Sequence, residues 1–484
     1  MMRGVLLQEP LPTKQGQGVD LTRLPWVGRF LRWRHARTAL QIPLLLTAAL
    51  VIFDGLTGPQ LSPKNLAGVL PWVHWRGLVV LALLIAGNVF CMACPFMLTR
   101  RLARRFFPHG RTWPRWLRNK WLAAGLLLAF FWAYEAWDLW ASPWLTAWLA
   151  VGYFVASFVI DAVFAGAPFC KYVCPIGQFN FVNAIHSPFE VAVRDPDVCA
   201  ACRTKDCIKG RDGIPGCELG LFQQAKAGNL DCTFCLDCVH ACPYSNVGVL
   251  ARVPAAELWM DTRRAGIGRL SLRPDLAWLV LALTAAAFVN AFGMVSPVYA
   301  LQEWLASTVG LGADGPAWGI IFVTGMLVVP VLVVGGAAGM TRWLTGTREP
   351  LLRVATRYTY ALAPMGFGMW LAHYLFHFLS GALTIVPVTQ SFVLDVTGKP
   401  LLGSPAWQLA ALLPRPWLLP LEIVLLTAGF TLSLVTVYFI ALDQWSDRRA
   451  AARAALPWVA LLLILMTAGL WLLQQPMDMR GTMM

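Results

Sequence analysis

Charged residues are scarce in this sequence. Asp, Glu, Lys and Arg make up only 13% of the 484 residues, whereas 58% are hydrophobic. Soluble domains normally carry about 25% charged residues, so this composition excludes a soluble globular protein and predicts a membrane protein. Tyrosine is also scarce, with 9 residues against 23 Trp and 26 Phe. Long apolar runs with this aromatic composition are typical of membrane helices, whereas the strands of a β-barrel alternate polar and apolar residues.

Acidic residues are fewer than basic ones, with 25 Asp and Glu against 39 Lys and Arg, and the net charge is +14. Nearly all the basic residues lie in a few loops between apolar runs. This distribution is typical of loops that orient membrane helices, so we expect membrane lipid, and no nucleic acid, as a partner. Four arginines of one loop are predicted to contact anionic lipid head groups: Arg100, Arg101, Arg104 and Arg105.

Hydropathy predicts an all-α polytopic membrane protein with about nine transmembrane helices. A helix needs about 20 apolar residues to cross the hydrocarbon core of a bilayer. The apolar stretches that meet this length are residues 38–56, 72–90, 120–139, 144–165, 276–296, 318–340, 357–381, 418–441 and 455–474. Two longer outer loops are expected near residues 297–315 and 381–419.

The basic residues predict the orientation of these helices. With nine crossings, five basic segments fall on one side of the membrane, and they hold 34 of the 39 Lys and Arg. The positive-inside rule places that side in the cytoplasm of a bacterial inner membrane and the C-terminus in the periplasm. Several arginines directly precede the first long apolar run, so we expect no cleaved signal peptide. The predicted units are a basic N-terminus (1–37), a four-helix membrane module (38–165), a cytoplasmic Cys-rich domain (166–275) and a five-helix membrane module (276–484).

Cysteine is absent after Cys242, and eight of the twelve cysteines lie in one hydrophilic segment that begins at Cys199. The run Cys232-x2-Cys235-x2-Cys238-x3-Cys242-Pro matches the bacterial ferredoxin pattern, in which three thiolates bind one [4Fe-4S] cluster and the fourth binds a second cluster. The pattern predicts an inserted ferredoxin-like domain with two [4Fe-4S] clusters. One cluster is assigned to Cys217, Cys232, Cys235 and Cys238, and the other to Cys199, Cys202, Cys207 and Cys242.

Structural zinc and disulfide bonds are the alternatives for these eight thiols. Zinc sites favour paired C-x2-C motifs, and the cytoplasm disfavours disulfides. The 2-2-3 spacing with a trailing proline is typical of iron–sulfur ligation instead.

Two further cysteine pairs lie next to apolar runs, and each pair is followed by a proline. A first helical hairpin ends at Cys91-x2-Cys94-Pro95, and a second ends at Cys170-x3-Cys174-Pro175. The duplication brings both turns to the same membrane face, so the four thiols are predicted to form a third cluster site or a metal site. A Cu(I) site, a redox-active thiol pair and buried thiols without a ligand role are the alternatives.

The paired hairpins with Cys-Pro turns, followed by a two-cluster Cys-rich domain, resemble the NosR/NapH group of membrane-bound polyferredoxins and the related oxidase assembly proteins CcoG and FixG. The resemblance covers roughly residues 38–275. It implies electron transfer between the quinone pool or a cytoplasmic donor and a periplasmic respiratory system. The first turn has two residues between its cysteines, where that group usually has three.

Histidines in the predicted outer half of the membrane suggest a second functional region. His373 and His377 are four residues apart on one helix and share a face. Ionisable groups at membrane depth invite a functional interpretation. Together with His74 and Glu135, they are candidates for binding a quinol and accepting its protons, or for ligating haem b through His74 and one of the pair. The alternative is that each side chain only caps or joins helices. His186, by contrast, is expected to be solvated.

These patterns predict an electron-transfer subunit that relays electrons between quinone or a cytoplasmic donor and a redox partner subunit, such as a cytochrome or reductase. We expect a component of a respiratory oxidoreductase rather than a complete enzyme. The alternative from another class is a maturation factor that reduces copper at the Cys-Pro turns for insertion into an oxidase.

Overall fold

The computed structural model describes residues 18–310 and 315–477. In the first part of the chain the helices are α1 (Pro25–Arg32), α2 (Ala36–Thr57), α3 (Leu66–Val69), α4 (Arg76–Ala86), α5 (Val89–Ala93), α6 (Phe96–Phe106), α7 (Trp121–Ala136), α8 (Pro143–Val163) and α9 (Pro175–Asn183). A π-helical segment, Leu70–Trp75, joins α3 to α4, and a second one, Phe169–Val173, precedes α9.

The Cys-rich segment has little regular structure. Its elements are β1 (Phe189–Val193), α10 (Pro196–Ala201), α11 (Asp206–Lys209), α12 (Asp237–Ala241) and β2 (Val247–Ala251). The two strands pair antiparallel, with Phe189 opposite Ala251 and Val193 opposite Val247. Loops and short helices therefore position most of the cysteines.

The described residues of the last part of the chain are mainly helical. Its helices are α13 (Pro274–Phe292), α14 (Ser296–Val309), α15 (Pro316–Val323), α16 (Val329–Thr345), α17 (Leu351–Thr359), α18 (Ala363–Gly381), α19 (Ile385–Thr397), α20 (Leu418–Gln444) and α21 (Arg448–Leu473). A π-helical segment, Thr324–Val328, makes α15 and α16 one continuous helix.

Eight helical regions of the described chain are long and apolar enough to cross a membrane. They coincide with eight of the nine stretches predicted from hydropathy. The ninth stretch, 120–139, is the shorter helix α7, whose 16 residues span about 24 Å at helical rise. It ends three residues early because Asp138 adopts a left-handed backbone conformation, with φ 42°.

Both segments expected to be outer loops contain a helix. The first is largely α14, and the second contains α19 directly after α18. Polar residues and isolated glycines within these segments hid the helical periodicity. The expected loops therefore include helices, although residues 398–414 of the second segment are irregular.

Helix α18 forms the centre of the second membrane module, where it packs against α20, α13 and α4. Its close approach to α20 depends on glycine. A Cβ atom on Gly368 would lie 3.1 Å from the Cα atom of Gly429 and 3.0 Å from the carbonyl oxygen of Leu425. The two glycines thus allow the backbones to touch, as small residues commonly do between membrane helices.

Candidate functional site

The loop that carries Cys232, Cys235 and Cys238 has an unusual backbone. Asp231, Phe234 and Leu236 all have positive φ, at 59°, 54° and 63°. This left-handed region costs a residue with a side chain about 1–2 kcal/mol. Strain of this kind is maintained by surrounding structure and clusters at functional sites. Here it turns the chain sharply between successive cysteines.

The sharp turns bring three cysteines of this loop to one cavity. Cys217, from the preceding loop, joins Cys232, Cys235 and Cys238 in the wall of this cavity. The other walls are mainly apolar and include Val191, Leu219, Leu221, Phe234 and Leu236.

Cys199, Cys202, Cys207 and Cys242 form a second thiol group around α10, α11 and the end of α12. Cys199 lies close enough to the other three for their charges to interact, and burial is the main cause that raises its pKa. Cys207 is buried, whereas Cys199, Cys202 and Cys242 are partly exposed. Hydrogen bonds with the backbone of Lys205 and with the Thr204 hydroxyl lower the pKa of Cys202. This group therefore faces solvent more than the first group does.

The two Cys-Pro turns form a third thiol group, beside the membrane helices. Asn180 donates a hydrogen bond to Cys91 Sγ (3.3 Å), and the backbone N–H of Gly177 donates one to Cys174 Sγ (3.2 Å). Burial raises the pKa of Cys91 to about 12 and raises that of Cys94 further. Cys94 and Cys174 each lie within electrostatic reach of Cys91 and Cys170. The structure thus brings both turns together.

The third group lies next to the first. A small cavity is lined by Cys170 of the second turn and by Cys217 and Cys235 of the first group. On the other side, Asn88 donates a hydrogen bond to the carbonyl oxygen of Cys232 (3.0 Å). The backbone N–H of Cys217 donates a hydrogen bond to the carbonyl oxygen of Cys207 (2.9 Å), so the first group adjoins the second group as well as the third.

All twelve cysteines are in the described part of the chain, and all are free thiols. Among the described residues, no three His, Cys, Asp or Glu side chains are grouped closely enough to hold a single metal ion. A [4Fe-4S] cluster binds each thiolate to a different iron, so its ligands surround a volume rather than a point. Four thiols that line one cavity fit such a cluster.

Two buried cations in this region were not recognised from their own positions in the sequence. Arg100 is only 3% exposed and donates to Cys170 Sγ, so the prediction that it contacts lipid was wrong. Lys120 is 2% exposed and donates to Asp231 (2.5 Å), Gln178 and the carbonyl oxygen of Lys171. A signal was present in their partners, since Asp231 directly precedes a cysteine and Glu218 directly follows one.

His373 and His377 contact each other in the second membrane module. Their Nε2 atoms are 3.2 Å apart, and both side chains are buried. Nearby, the buried Arg76 guanidinium lies 5.1 Å from the ring of Tyr374 and 4.6 Å from that of Tyr134. The pair therefore belongs to a buried, polar and aromatic part of the membrane module.

His74 and Glu135 make separate contacts. The His74 ring nitrogens lie 3.2 Å and 2.9 Å from the carbonyl oxygens of Val69 and Ala382, and these contacts join α3 to the end of α18. Glu135 accepts a hydrogen bond from Asn290 Nδ2 (3.0 Å). Both ring nitrogens of His74 are therefore engaged by the backbone.

The described helices define an all-α polytopic membrane protein. A stretch of 92 residues, 19% of this chain, is 27% identical to an Escherichia coli (strain K12) protein named "Putative electron transport protein YccM". The match spans 24% of that protein's length. No family model matches the chain, so membership of the NosR/NapH group stays a prediction. No solved structure matches it either.

Proposed function

We propose that this chain is a membrane-bound iron–sulfur protein that relays electrons between the quinone pool or a cytoplasmic donor and a respiratory partner protein. The cavity lined by Cys217, Cys232, Cys235 and Cys238 carries this proposal, because those four thiols are the set that the ferredoxin spacing assigns to one cluster. The similarity to an Escherichia coli protein named for electron transport supports it.

Bound [4Fe-4S] clusters would supply one-electron transfer. The first thiol group would hold one cluster, and Cys199, Cys202, Cys207 and Cys242 would hold another. The mainly apolar walls of the first cavity would limit the access of water to a bound cluster, and solvent exposure influences a cluster's potential.

The sequence of thiol groups suggests a direction in space for the relay. The accessible Cys202 end suits contact with a soluble partner, and the Cys91, Cys94, Cys170 and Cys174 group would connect the relay to the membrane. A third cluster at these turns would divide the path between the membrane and the first thiol group into shorter electron-transfer steps. We place all three thiol groups on the cytoplasmic side of the membrane, where the positive-inside rule predicts the basic loops.

A quinol site is proposed at His373 and His377, because these two buried imidazoles contact each other and can hydrogen-bond a quinol hydroxyl group. The hydrocarbon core is about 30 Å thick, so electrons from an outer-half site would need a further carrier, such as haem b or a partner subunit. Quinol-driven reduction that survives His373→Ala and His377→Ala would remove the pair from this proposal.

The proposal is tested by measuring iron, acid-labile sulfide, copper and haem per chain on anaerobically purified protein, with EPR after stepwise reduction. Twelve irons are expected if all three thiol groups hold a cluster, since each cluster has four. Cys235→Ser should lose about four irons and one EPR signal. Thr233→Ala, which alters the same cavity without removing a thiol, should keep both.

Other metal contents have distinct meanings. About eight irons with copper that Cys94→Ser removes would favour the maturation function at the turns. Stoichiometric zinc without iron or sulfide would overturn the electron-relay proposal altogether.

A further inference from the structure

The guanidinium of Arg100 joins three separate parts of the protein. Its Nε atom lies 2.7 Å from Asp161 at the end of α8, and its Nη1 atom lies 2.7 Å from Glu218, directly after Cys217. Its Nη2 atom donates a hydrogen bond to Cys170 Sγ at 3.1 Å. One side chain thus connects a membrane helix, the first thiol group and the second Cys-Pro turn.

The position of Arg100 is specific within its basic run. The next residue, Arg101, is exposed and donates to the hydroxyl of Thr38 (2.8 Å). Arg100 instead lines the cavity between Cys170 and the pair Cys217 and Cys235. A buried arginine needs compensating partners, and here each of its three nitrogen atoms has one.

Lys120 makes a parallel connection on another side of the same turn. Its ammonium group bonds the carbonyl oxygen of Lys171, next to Cys170, and also Asp231, next to Cys232. The turn is therefore held against both loops of the first thiol group by buried cations. This arrangement fixes the separation between two candidate redox sites.

We propose that Arg100 is a positioning residue of the relay, which sets the reduction potential at Cys170 and couples that turn to the neighbouring Cys217 group. The inference rests on the proposed function, because it assumes that both thiol groups bind clusters. In the coupled step one electron leaves the reduced turn site and enters the oxidised neighbouring site, and no bond is formed or broken. Hydrogen bonds to a ligand sulfur favour the more negative, reduced form and so raise the potential.

The test is an anaerobic redox titration of the intact, cluster-loaded protein, followed by EPR. Arg100→Gln shortens the side chain and removes its charge, so the midpoint potential of the turn site should fall. The expected change is about tenfold in the electron-sharing equilibrium, or about 59 mV for a one-electron couple. Arg101→Gln, in the same run but exposed, should leave the potential unchanged.

A second variant separates tuning from loss of structure. Glu218→Gln removes a carboxylate from Arg100 but keeps the side-chain size, so the potential should rise, opposite to Arg100→Gln. If the Arg100→Gln protein loses its iron, the potentials of Arg100→Lys and Glu218→Gln are compared instead. Lysine keeps the positive charge, so Arg100→Lys should shift the potential less than Glu218→Gln does.

Potentials within a few millivolts of wild type in both Arg100→Gln and Glu218→Gln, with iron retained, would overturn this inference and leave the relay intact. A wild-type protein without cluster signals would instead overturn the proposed function. The two failures are therefore distinguishable.

Discussion

Individual side chains outside the cysteines control how the thiol groups are held. Asn180 and Gly177 donate to sulfurs of the two Cys-Pro turns, and Arg100 donates to a third. Spacing predicts which cysteines share a site, because the cysteine ligands of iron–sulfur clusters follow characteristic intervals along a sequence. It does not identify the donors around them, since those partners are brought together by folding. A basic run such as Arg100 to Arg105 gives no sign of which member turns inward.

His186 shows the same limit, because the structure buries a histidine expected to be solvated. Its ring stacks on Phe367 with centroids 4.5 Å apart, and only 3% of the residue is exposed. Burial lowers the pKa of His186 to about 3, from an ordinary value near 6.5. The expectation failed because no periodic signal marks a single residue at the boundary between loop and membrane helix.

We predict that stability decreases as pH falls below 6.5, in part through His186. Below pH 6.5 the unfolded chain protonates His186, whereas the folded protein keeps it neutral. The contribution of His186 to stability is therefore fully present above pH 6.5 and is lost toward pH 3. From pH 6.5 to pH 5.5 the loss is about 1 kcal/mol. Thermal unfolding in detergent at both pH values should show it for wild type and not for His186→Phe. His109→Phe, at an exposed histidine, should keep the wild-type difference.

At the scale of elements, hydropathy located the membrane helices well, because crossing a bilayer demands a long apolar segment. It failed where helices are short or end irregularly. Helix α7 stops at Ala136, and helices α14 and α19 lie in segments that looked like loops. The π-helical segment that contains Cys170 also has no local signature. Packing against neighbouring helices decides these features.

Gly87 illustrates how one element end controls the site. It ends α4 with φ 78°, and a Cβ atom there would lie 2.6 Å from the ring of Phe234. We predict that Gly87→Ala costs about 1–3 kcal/mol and disturbs the loop that carries Cys232 and Cys235. Loss of iron per chain and a lower unfolding temperature are the measurements.

The matched control is Gly125→Ala in α7, where nothing lies within 4 Å of the added Cβ. There alanine should be neutral or stabilising by about 1 kcal/mol, because it favours the helix. Equal effects of the two substitutions would contradict the role given to Gly87.

For the whole molecule, the orientation in the membrane follows from charge rather than from the fold. The positive-inside rule predicts that the cysteine loops lie in the cytoplasm and that the segment after α19 lies outside. Alkaline phosphatase, which is active only outside the cytoplasm, should therefore be active when fused after Lys399 and inactive when fused after Lys226. The reverse pattern would place the cysteine loops outside the cytoplasm and contradict the proposed orientation of the relay.

The amino-acid pattern alone was sufficient for the membrane class and for most of the helices, and it predicts how eight of the cysteines are grouped. These properties follow from local composition and short spacing. Only the folded chain brought the Cys170 turn beside Cys217 and Cys235, and only the fold placed Arg100 and Lys120 between them. The hydrogen bonds of these two cations join residues 51 to 118 positions apart. No local pattern records such contacts, because they depend on how all the helices pack together.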